Sequence, residues 1–276
     1  MVVSAGLMVN LSGCGNVAVN QGNTPVANRT PSETAPATGP STVKIESPDG
    51  VVLAGSFYRA QKPNSPAILL LHQWMANRHT FDRFAERMNK VGFAVLAIDG
   101  RGFGESVKSA DGKEVKVDAE KGADPKDLLS DVNSAIEFLG KQENVNANKI
   151  GIIGASYGSS VSIMYAAEHP NVAAVVLLSP GVNYFDNLPT VPAIKKYAPR
   201  PILLVAAEDD KDSAADSRKL KEASADPRAE IKIYPSGGHG TALFGLKDPN
   251  NNNAEPLAEL MEKFLESALV SGGSAN

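Results

Sequence analysis

Residues 149–168, KIGIIGASYGSSVSIMYAAE, combine a short apolar run, a G-x-S-x-G motif and a helix-like pattern. The run Ile150–Ile153 has the length and β-branched content of a buried parallel strand. After the motif, side chains recur at helical spacing, namely Val161, Met164, Tyr165 and Glu168. A serine on a sharp turn between strand and helix is a nucleophile elbow, and the helix N-terminus beneath it favours an oxyanion. Ser156 is therefore the candidate nucleophile.

The bare motif is weak evidence, because it also arises by chance in a chain with 24 glycines. Its position between a predicted strand and a predicted helix makes it specific. The motif glycines have a physical purpose as well, since small residues let the strand and the helix approach each other closely.

Further apolar runs predict a mostly parallel sheet with helices on both faces. Residues 42–58 read as an antiparallel hairpin around a Pro-Asp-Gly turn. Strand patterns then alternate with helical ones, with strands at 67–72, 93–98, 150–153, 172–178, 201–206 and 230–234, and helices at 78–91, 127–139, 214–224 and 257–269. The connection at 179–200 reads as irregular and too short for a large cap. The expected class is an α/β domain over residues 42–270, followed by a frayed tail at 271–276.

Composition limits the compatible functions. The chain of 276 residues is long enough for one α/β domain with an appendage. Its net charge of −4, without a basic run, gives no electrostatic footprint for nucleic acid. The single cysteine, Cys14, excludes an internal disulfide and a cysteine-based metal cluster.

The first 41 residues resemble the start of a bacterial lipoprotein. The apolar stretch 1–13 ends in Leu11-Ser12-Gly13 before Cys14, which resembles a lipobox cut by signal peptidase II ahead of a lipidated cysteine. The charged start of a signal peptide is missing, which a true start further upstream would explain. Residues 14–41 are polar, nearly uncharged and aperiodic, as expected of a disordered tether. The prediction is a lipid anchor at the bacterial cell envelope, facing away from the cytoplasm; the alternatives are an idle Cys14 or a cytosolic protein.

Five motifs follow one another along the domain: LLLHQW at 69–74, DGRGFGES at 99–106, GASYG at 154–158, ILLVAAEDD at 202–210 and SGGHGTAL at 236–243. In this order the chain resembles the α/β-hydrolase superfamily, where serine precedes aspartate and aspartate precedes histidine. Within it, the resemblance is to small esterases and dienelactone-hydrolase-like proteins. Relatives with a cysteine nucleophile are excluded, because this elbow has serine. The resemblance implies an α/β-hydrolase fold with a minimal cap and a catalytic triad.

A serine hydroxyl needs a base to remove its proton, and four histidines are candidates. His239 follows the last predicted strand in a glycine-rich loop that can swing an imidazole towards Ser156. The other three are expected to be structural, solvated or capping: His72, His79 and His169. His239 is the predicted base.

The base in turn needs a carboxylate that orients it and stabilises the imidazolium. The superfamily places this acid shortly after the strand at 201–206, and Asp210 matches that position best. Asp209 is the alternative. Three further aspartates match less well. Asp212 is expected to be a solvated helix cap, Asp186 lies at a position that some family variants use, and Asp99 is expected to belong to a tight turn.

An oxyanion hole needs two hydrogen-bond donors. One is expected to be the N–H of Tyr157, directly after the nucleophile. The resemblance assigns the other to the N–H of Trp74, in the loop after His72, with Gln73 as the alternative. Family members commonly have glycine where this chain has Gln73, so the resemblance does not predict the backbone conformation at this position. The Trp74 side chain is either packing or part of the acyl pocket.

Together these residues predict a serine hydrolase that forms an acyl-enzyme on Ser156 and releases it with water activated through His239. The expected substrates are small-molecule carboxylic esters, with no metal or organic cofactor. The alternatives are a peptidase or acyl-peptidase of the same fold and a surface-binding lipoprotein without turnover.

Overall fold

The computed structural model describes residues 39–245 and 254–271. These lie in the second of two units into which the chain divides, Gly39–Asn276. The predicted signal segment at 1–13, Cys14, most of the predicted tether and the tail from residue 272 lie outside the described residues. Within the described ranges, no helix is long and apolar enough to cross a bilayer. Those ranges also contain no group of three or more His, Cys, Asp and Glu side chains placed to hold a metal ion.

The element order begins with the predicted hairpin, β1 (Ser41–Glu46) and β2 (Val52–Tyr58). The chain continues with β3 (Ser65–Leu71), α1 (Asp82–Lys90), β4 (Ala94–Ile98), α2 (Pro125–Gly140), β5 (Val145–Ala155), α3 (Tyr157–Glu168) and β6 (Val172–Leu178). It ends with β7 (Asn183–Tyr184), β8 (Leu188–Pro189), α4 (Thr190–Tyr197), β9 (Ile202–Ala207), α5 (Lys211–Ser224), β10 (Glu230–Tyr234) and α6 (Ala254–Glu266). Short 3-10 helices occupy Arg78–Phe81 and Gly240–Phe244, and a π-helical turn occupies Ser267–Ser271.

The main sheet has eight strands in the order β1-β2-β4-β3-β5-β6-β9-β10. β2 runs antiparallel to β1 and β4, and the six strands β4, β3, β5, β6, β9 and β10 run parallel. Because the carboxyl ends of parallel strands meet at one edge, the loops after β3, β5, β6, β9 and β10 gather there. This architecture confirms the predicted α/β-hydrolase fold.

The core lies on both faces of this sheet, and alternation along β3 explains why. Leu69 faces the side covered by α2, α3, α4 and α5, whereas Ile68 and Leu70 face the side covered by α1 and α6. All three side chains are fully buried. A central parallel strand therefore reads as an unbroken apolar run, which is why sequence alone locates it.

The connection at 179–200 is more ordered than the sequence prediction of an irregular segment. It contains the small β7–β8 hairpin and the two-turn helix α4. The buried residues of α4 have helical spacing: Thr190, Ala193, Ile194 and Tyr197. Pro192 concealed this pattern, but proline is compatible with the first turn, where the N–H needs no helical acceptor. β5 is also longer than predicted, because it begins at Val145 with a polar, half-exposed end.

Buried ion pairs hold in place the DGRGFGES segment, residues 99–106, which directly follows β4. Arg101 binds Asp131 of α2 through two parallel hydrogen bonds of 2.7 Å, and it contacts Asp49 at 2.8 Å. Asp99 is fully buried, pairs with the Arg78 guanidinium and accepts the Arg78 N–H at 2.7 Å. Asp99 therefore has the structural environment expected of it.

We expect Arg101→Met to lower the free energy of unfolding by about 3–5 kcal/mol, because it leaves the buried Asp131 carboxylate without its counter-ion. Urea unfolding measures this. The matched control is Arg218→Met, which breaks an ion pair with Glu208 whose side chains are both 52% exposed. That change should cost at most about 1 kcal/mol. Equal losses in the two variants would contradict a stabilising role for the buried pair.

Candidate active site

Ser156 lies on the sharp turn between β5 and α3, with φ 52° and ψ −118°. This conformation is strained for any residue that has a side chain. A Cβ on Gly154 would lie 2.2 Å from the Gly158 carbonyl oxygen, and a Cβ on Gly158 would lie 2.5 Å from that of Leu71. Such contacts are too short for any real side chain. Only glycine at both positions allows the close approach, so the local geometry is that of a nucleophile elbow.

The structure brings Ser156, His239 and Asp210 together from the ends of three parallel strands. Nε2 of His239 lies 2.5 Å from Oγ of Ser156, and Nδ1 lies 2.7 Å from Oδ2 of Asp210. An ionised carboxylate can only accept, so Nδ1 donates to Asp210. In the neutral ring, Nε2 then accepts from the Ser156 hydroxyl. This is the arrangement in which an imidazole can remove a serine proton.

The two adjacent candidate acids have different partners. Asp210 contacts the imidazole, whereas the Asp209 carboxylate accepts backbone N–H groups of Gly237 and Gly238, each at 3.1 Å. Asp209 therefore holds the loop that precedes His239. These contacts distinguish the two candidate acids, between which sequence position alone did not decide.

The surroundings of Asp210 keep its carboxylate charged. Burial acts to raise its pKa, but hydrogen bonds with His239, Ser213 and Ser179 outweigh burial and hold the pKa of Asp210 below its usual value. Ser213 also places its hydroxyl 3.4 Å from Nδ1 of His239. Asp210 is therefore ionised at neutral pH and able to stabilise an imidazolium.

The rings of Trp74 and Tyr157, whose N–H groups are the predicted oxyanion donors, pack against each other. Tyr157 is the first residue of α3, so its N–H has no acceptor within the helix. The Trp74 and Tyr157 ring centroids are 5.0 Å apart. Trp74 also packs against Phe103 at 4.8 Å and Phe185 at 4.6 Å. These four rings form an aromatic cluster beside the elbow, and Trp74 remains partly exposed within it.

Residues 53–269 match the model of the dienelactone hydrolase family. The chain belongs to that family. This assignment agrees with the resemblance found in the sequence motifs, and it makes the protein a member of a hydrolase family.

Three comparisons place this dienelactone hydrolase family member among its relatives. An uncharacterized protein of Mycobacterium tuberculosis (strain ATCC 25618 / H37Rv) is 27% identical over 266 residues, covering 90% of this chain and 87% of that protein. An esterase of Pyrococcus furiosus has a TM-score of 0.66 at 18% identity, over 83% of this chain and 91% of that one. A dienelactone hydrolase from Anabaena variabilis ATCC 29413 has a TM-score of 0.64 at 20% identity, over 84% and 99%. At these identities the two structures show the shared fold.

The remaining histidines of this family member have other partners. His72 is buried, accepts the Gly100 N–H at 2.9 Å on Nε2 and lies 2.7 Å from the Gln73 carbonyl on Nδ1. Burial lowers the pKa of His72, so it stays neutral and structural. His79 pairs with Asp82 at the surface, and His169 stacks on Tyr165 with centroids 3.8 Å apart.

Two other aspartates weighed as alternatives are exposed. Asp212 lies in the first turn of α5 and not at its cap, because Asp210 occupies the N-cap position. The prediction of Asp212 as the cap is therefore wrong. Asp186 has a φ of 55° in the β7–β8 turn and its side chain is exposed.

Sequence reasoning missed several residues around the elbow. Ser179, directly after β6, is fully buried and accepts the Gly240 N–H on its hydroxyl at 2.8 Å. The Tyr184 hydroxyl donates to the Ser179 carbonyl at 3.1 Å and lies near the Ser156 and Ser213 side chains. Burial raises the pKa of Tyr184, so it keeps its proton at neutral pH. Only the position of Ser179 at the carboxyl end of a parallel strand offered a signal for this group.

Proposed function

We propose that this family member is a serine hydrolase that cleaves carboxylic esters through an acyl-enzyme on Ser156. The observation that supports this most strongly is the hydrogen-bonded chain from Ser156 Oγ to His239 and from His239 to Asp210, with distances of 2.5 and 2.7 Å. A hydroxyl in contact with an oriented base is an activated nucleophile.

The proposed reaction has two halves. Ser156 Oγ attacks the ester carbonyl carbon while His239 Nε2 takes the hydroxyl proton, and Asp210 stabilises the resulting imidazolium. The N–H groups of Tyr157 and Trp74 receive the negative oxygen of the tetrahedral intermediate. The intermediate collapses, and the alcohol leaves with the proton from His239. Water then attacks the acyl-enzyme and gives one proton to His239, which passes it to Ser156 Oγ as the acid is released.

The surroundings of Ser156 favour small or extended acyl substrates. The 179–200 connection supplies the β7–β8 hairpin and α4, so this connection forms no large cap over the site. The partly exposed Trp74, packed against Phe185, provides an apolar surface next to the elbow. Such a surface would accept the hydrocarbon part of an ester.

The test is hydrolysis of a p-nitrophenyl ester series, from acetate to octanoate, by the full chain, with a p-nitroanilide series alongside. We expect ester turnover, with a chain-length profile that defines the acyl pocket. Turnover of anilides without esters would instead support a peptidase. A folded protein that hydrolyses neither series and takes up no fluorophosphonate would support a binding lipoprotein.

We also propose that Cys14 carries a lipid anchor that holds the enzyme at the bacterial cell envelope. The lipobox-like Leu11-Ser12-Gly13-Cys14 supports this, together with the tether-like composition that follows. Mass spectrometry of the N-terminal peptide, with membrane fractionation, is the test. Soluble protein with unmodified Cys14 in a lipoprotein-producing host would contradict the anchor.

A further inference from the structure

Gln73 connects the two loops on which the proposed chemistry depends. Its side-chain oxygen accepts the Thr241 N–H at 2.7 Å and the Thr241 hydroxyl at 2.9 Å. Gln73 precedes Trp74 in the loop after β3, and Thr241 follows His239 by two residues. One side chain thus joins the loop of a proposed oxyanion donor to the loop of the proposed base.

The contact between these loops is close. A Cβ on Gly240 would lie 2.3 Å from Oε1 of Gln73 and 2.9 Å from its Cδ, so the Gln73 amide packs directly against the residue after His239. Thr241 is only 3% exposed, so its two donors are removed from water. Buried donors require an acceptor, and Gln73 is the acceptor for both.

Two other side chains that hold the His239 loop come from a different part of the sheet. Asp209, after β9, binds the amides before His239, and Ser179, after β6, binds the Gly240 amide. These contacts fix His239 relative to β6 and β9. Of these three side chains, only Gln73 fixes it relative to the loop of Trp74.

We propose that Gln73 is a positioning residue that sets the placement of His239 relative to the oxyanion donor at Trp74. This inference rests on the proposed serine hydrolase function. Proton transfer and oxyanion stabilisation occur in the same transition state, so an error in their relative placement slows the chemical step. Gln73 itself touches Thr241 and not Ser156 in the described contacts, so substrate binding depends on it less.

The central variant is Gln73→Met, which keeps the side-chain length but removes the acceptor. We expect kcat for p-nitrophenyl butyrate to fall about 10- to 100-fold, since misplacement by about 1 Å costs this much, while KM changes by less than about threefold. Gln73→Glu restores an acceptor for both Thr241 donors and should recover most of kcat.

Two further variants separate positioning from general destabilisation. Gln61→Met changes an exposed glutamine whose amide donates to the Arg59 carbonyl, and it should leave kcat unchanged. Thr241→Val removes one of the two donors and should reduce kcat less than Gln73→Met. Combining Thr241→Val with Gln73→Met should add little further loss, because the two side chains share one contact.

The outcomes distinguish this inference from the proposed function. Wild-type protein that neither hydrolyses esters nor reacts with a fluorophosphonate overturns both. Active wild type with an equally active Gln73→Met overturns the positioning role alone. The positioning role is also overturned if kcat falls in Gln73→Met, Gln73→Glu does not recover it, and the urea midpoint falls in parallel. That result would indicate that Gln73 contributes only packing. The rate of fluorophosphonate labelling gives a second readout that does not depend on the ester chosen.

Discussion

Ser156→Ala is expected to lower kcat for ester hydrolysis by about four to six orders of magnitude. The change removes the oxygen that lies 2.5 Å from His239 Nε2, so no acyl-enzyme can form. The residual rate would come from substrate binding and the oxyanion donors. Alanine keeps the Cβ of serine, so the strained turn at φ 52° is neither relieved nor worsened and stability should hardly change.

Ser160→Ala is the matched control for this variant. Ser160 lies in α3 near the elbow, and its hydroxyl is buried without a hydrogen-bond partner among the described residues. Losing an unpaired buried hydroxyl should leave activity unchanged and stability equal or higher. A Ser156→Ala protein that keeps more than about 1% of wild-type kcat would contradict the nucleophile assignment.

Asp210→Asn is expected to lower kcat by about 10⁴-fold with the fold retained. The asparagine amide can donate to Nδ1 of His239, which places the ring proton on Nε2, where it can no longer accept the Ser156 proton. The variant also lacks the charge that stabilises the imidazolium. Ester hydrolysis at saturating substrate measures the loss, and comparison with Asp209→Asn tests the assignment.

Asp209→Asn keeps an oxygen that can accept the Gly237 and Gly238 amides. It should therefore cost well under about 100-fold, through a small shift of the loop before His239. If Asp209→Asn proved the more damaging of the two, the assignment of Asp210 as the orienting acid would be wrong.

The lowered pKa of Asp210 also predicts how stability depends on pH. Its native pKa lies below the unfolded value, so the carboxylate stabilises the fold above the unfolded pKa, and this contribution disappears as pH falls through the native one. The stability gap between wild type and Asp210→Asn should therefore be present at neutral pH and close under acid conditions. A gap that widens on acidification would contradict the direction of the shift.

The sequence was sufficient for most of the fold, because the central strands are buried on both faces. Runs such as Val172–Leu178 are apolar throughout and match the observed strand at both ends. The start of β5 was not predictable, since Val145–Lys149 is polar and joins the sheet through an irregular register beside Ser65. Helix α4 was not predicted because Pro192 argued against a helix there, although its buried residues have helical spacing.

The site was predictable where a residue belongs to a local motif. Ser156, His239 and Asp210 each follow a predicted strand, and parallel strands bring such positions to one edge. The role of Asp209 was not predictable, because adjacent aspartates differ only in the directions of their side chains, which the sequence does not show. The Gln73–Thr241 contact joins residues 168 positions apart, and no local pattern reports such a pairing.

The most direct test of Ser156 as an activated nucleophile is covalent labelling of the full chain with a fluorophosphonate, followed by intact mass and peptide mapping. We predict a single adduct located on Ser156, which forms far more slowly in His239→Ala because the base is missing. A folded protein without an adduct, or an adduct on another serine, would contradict the proposed mechanism.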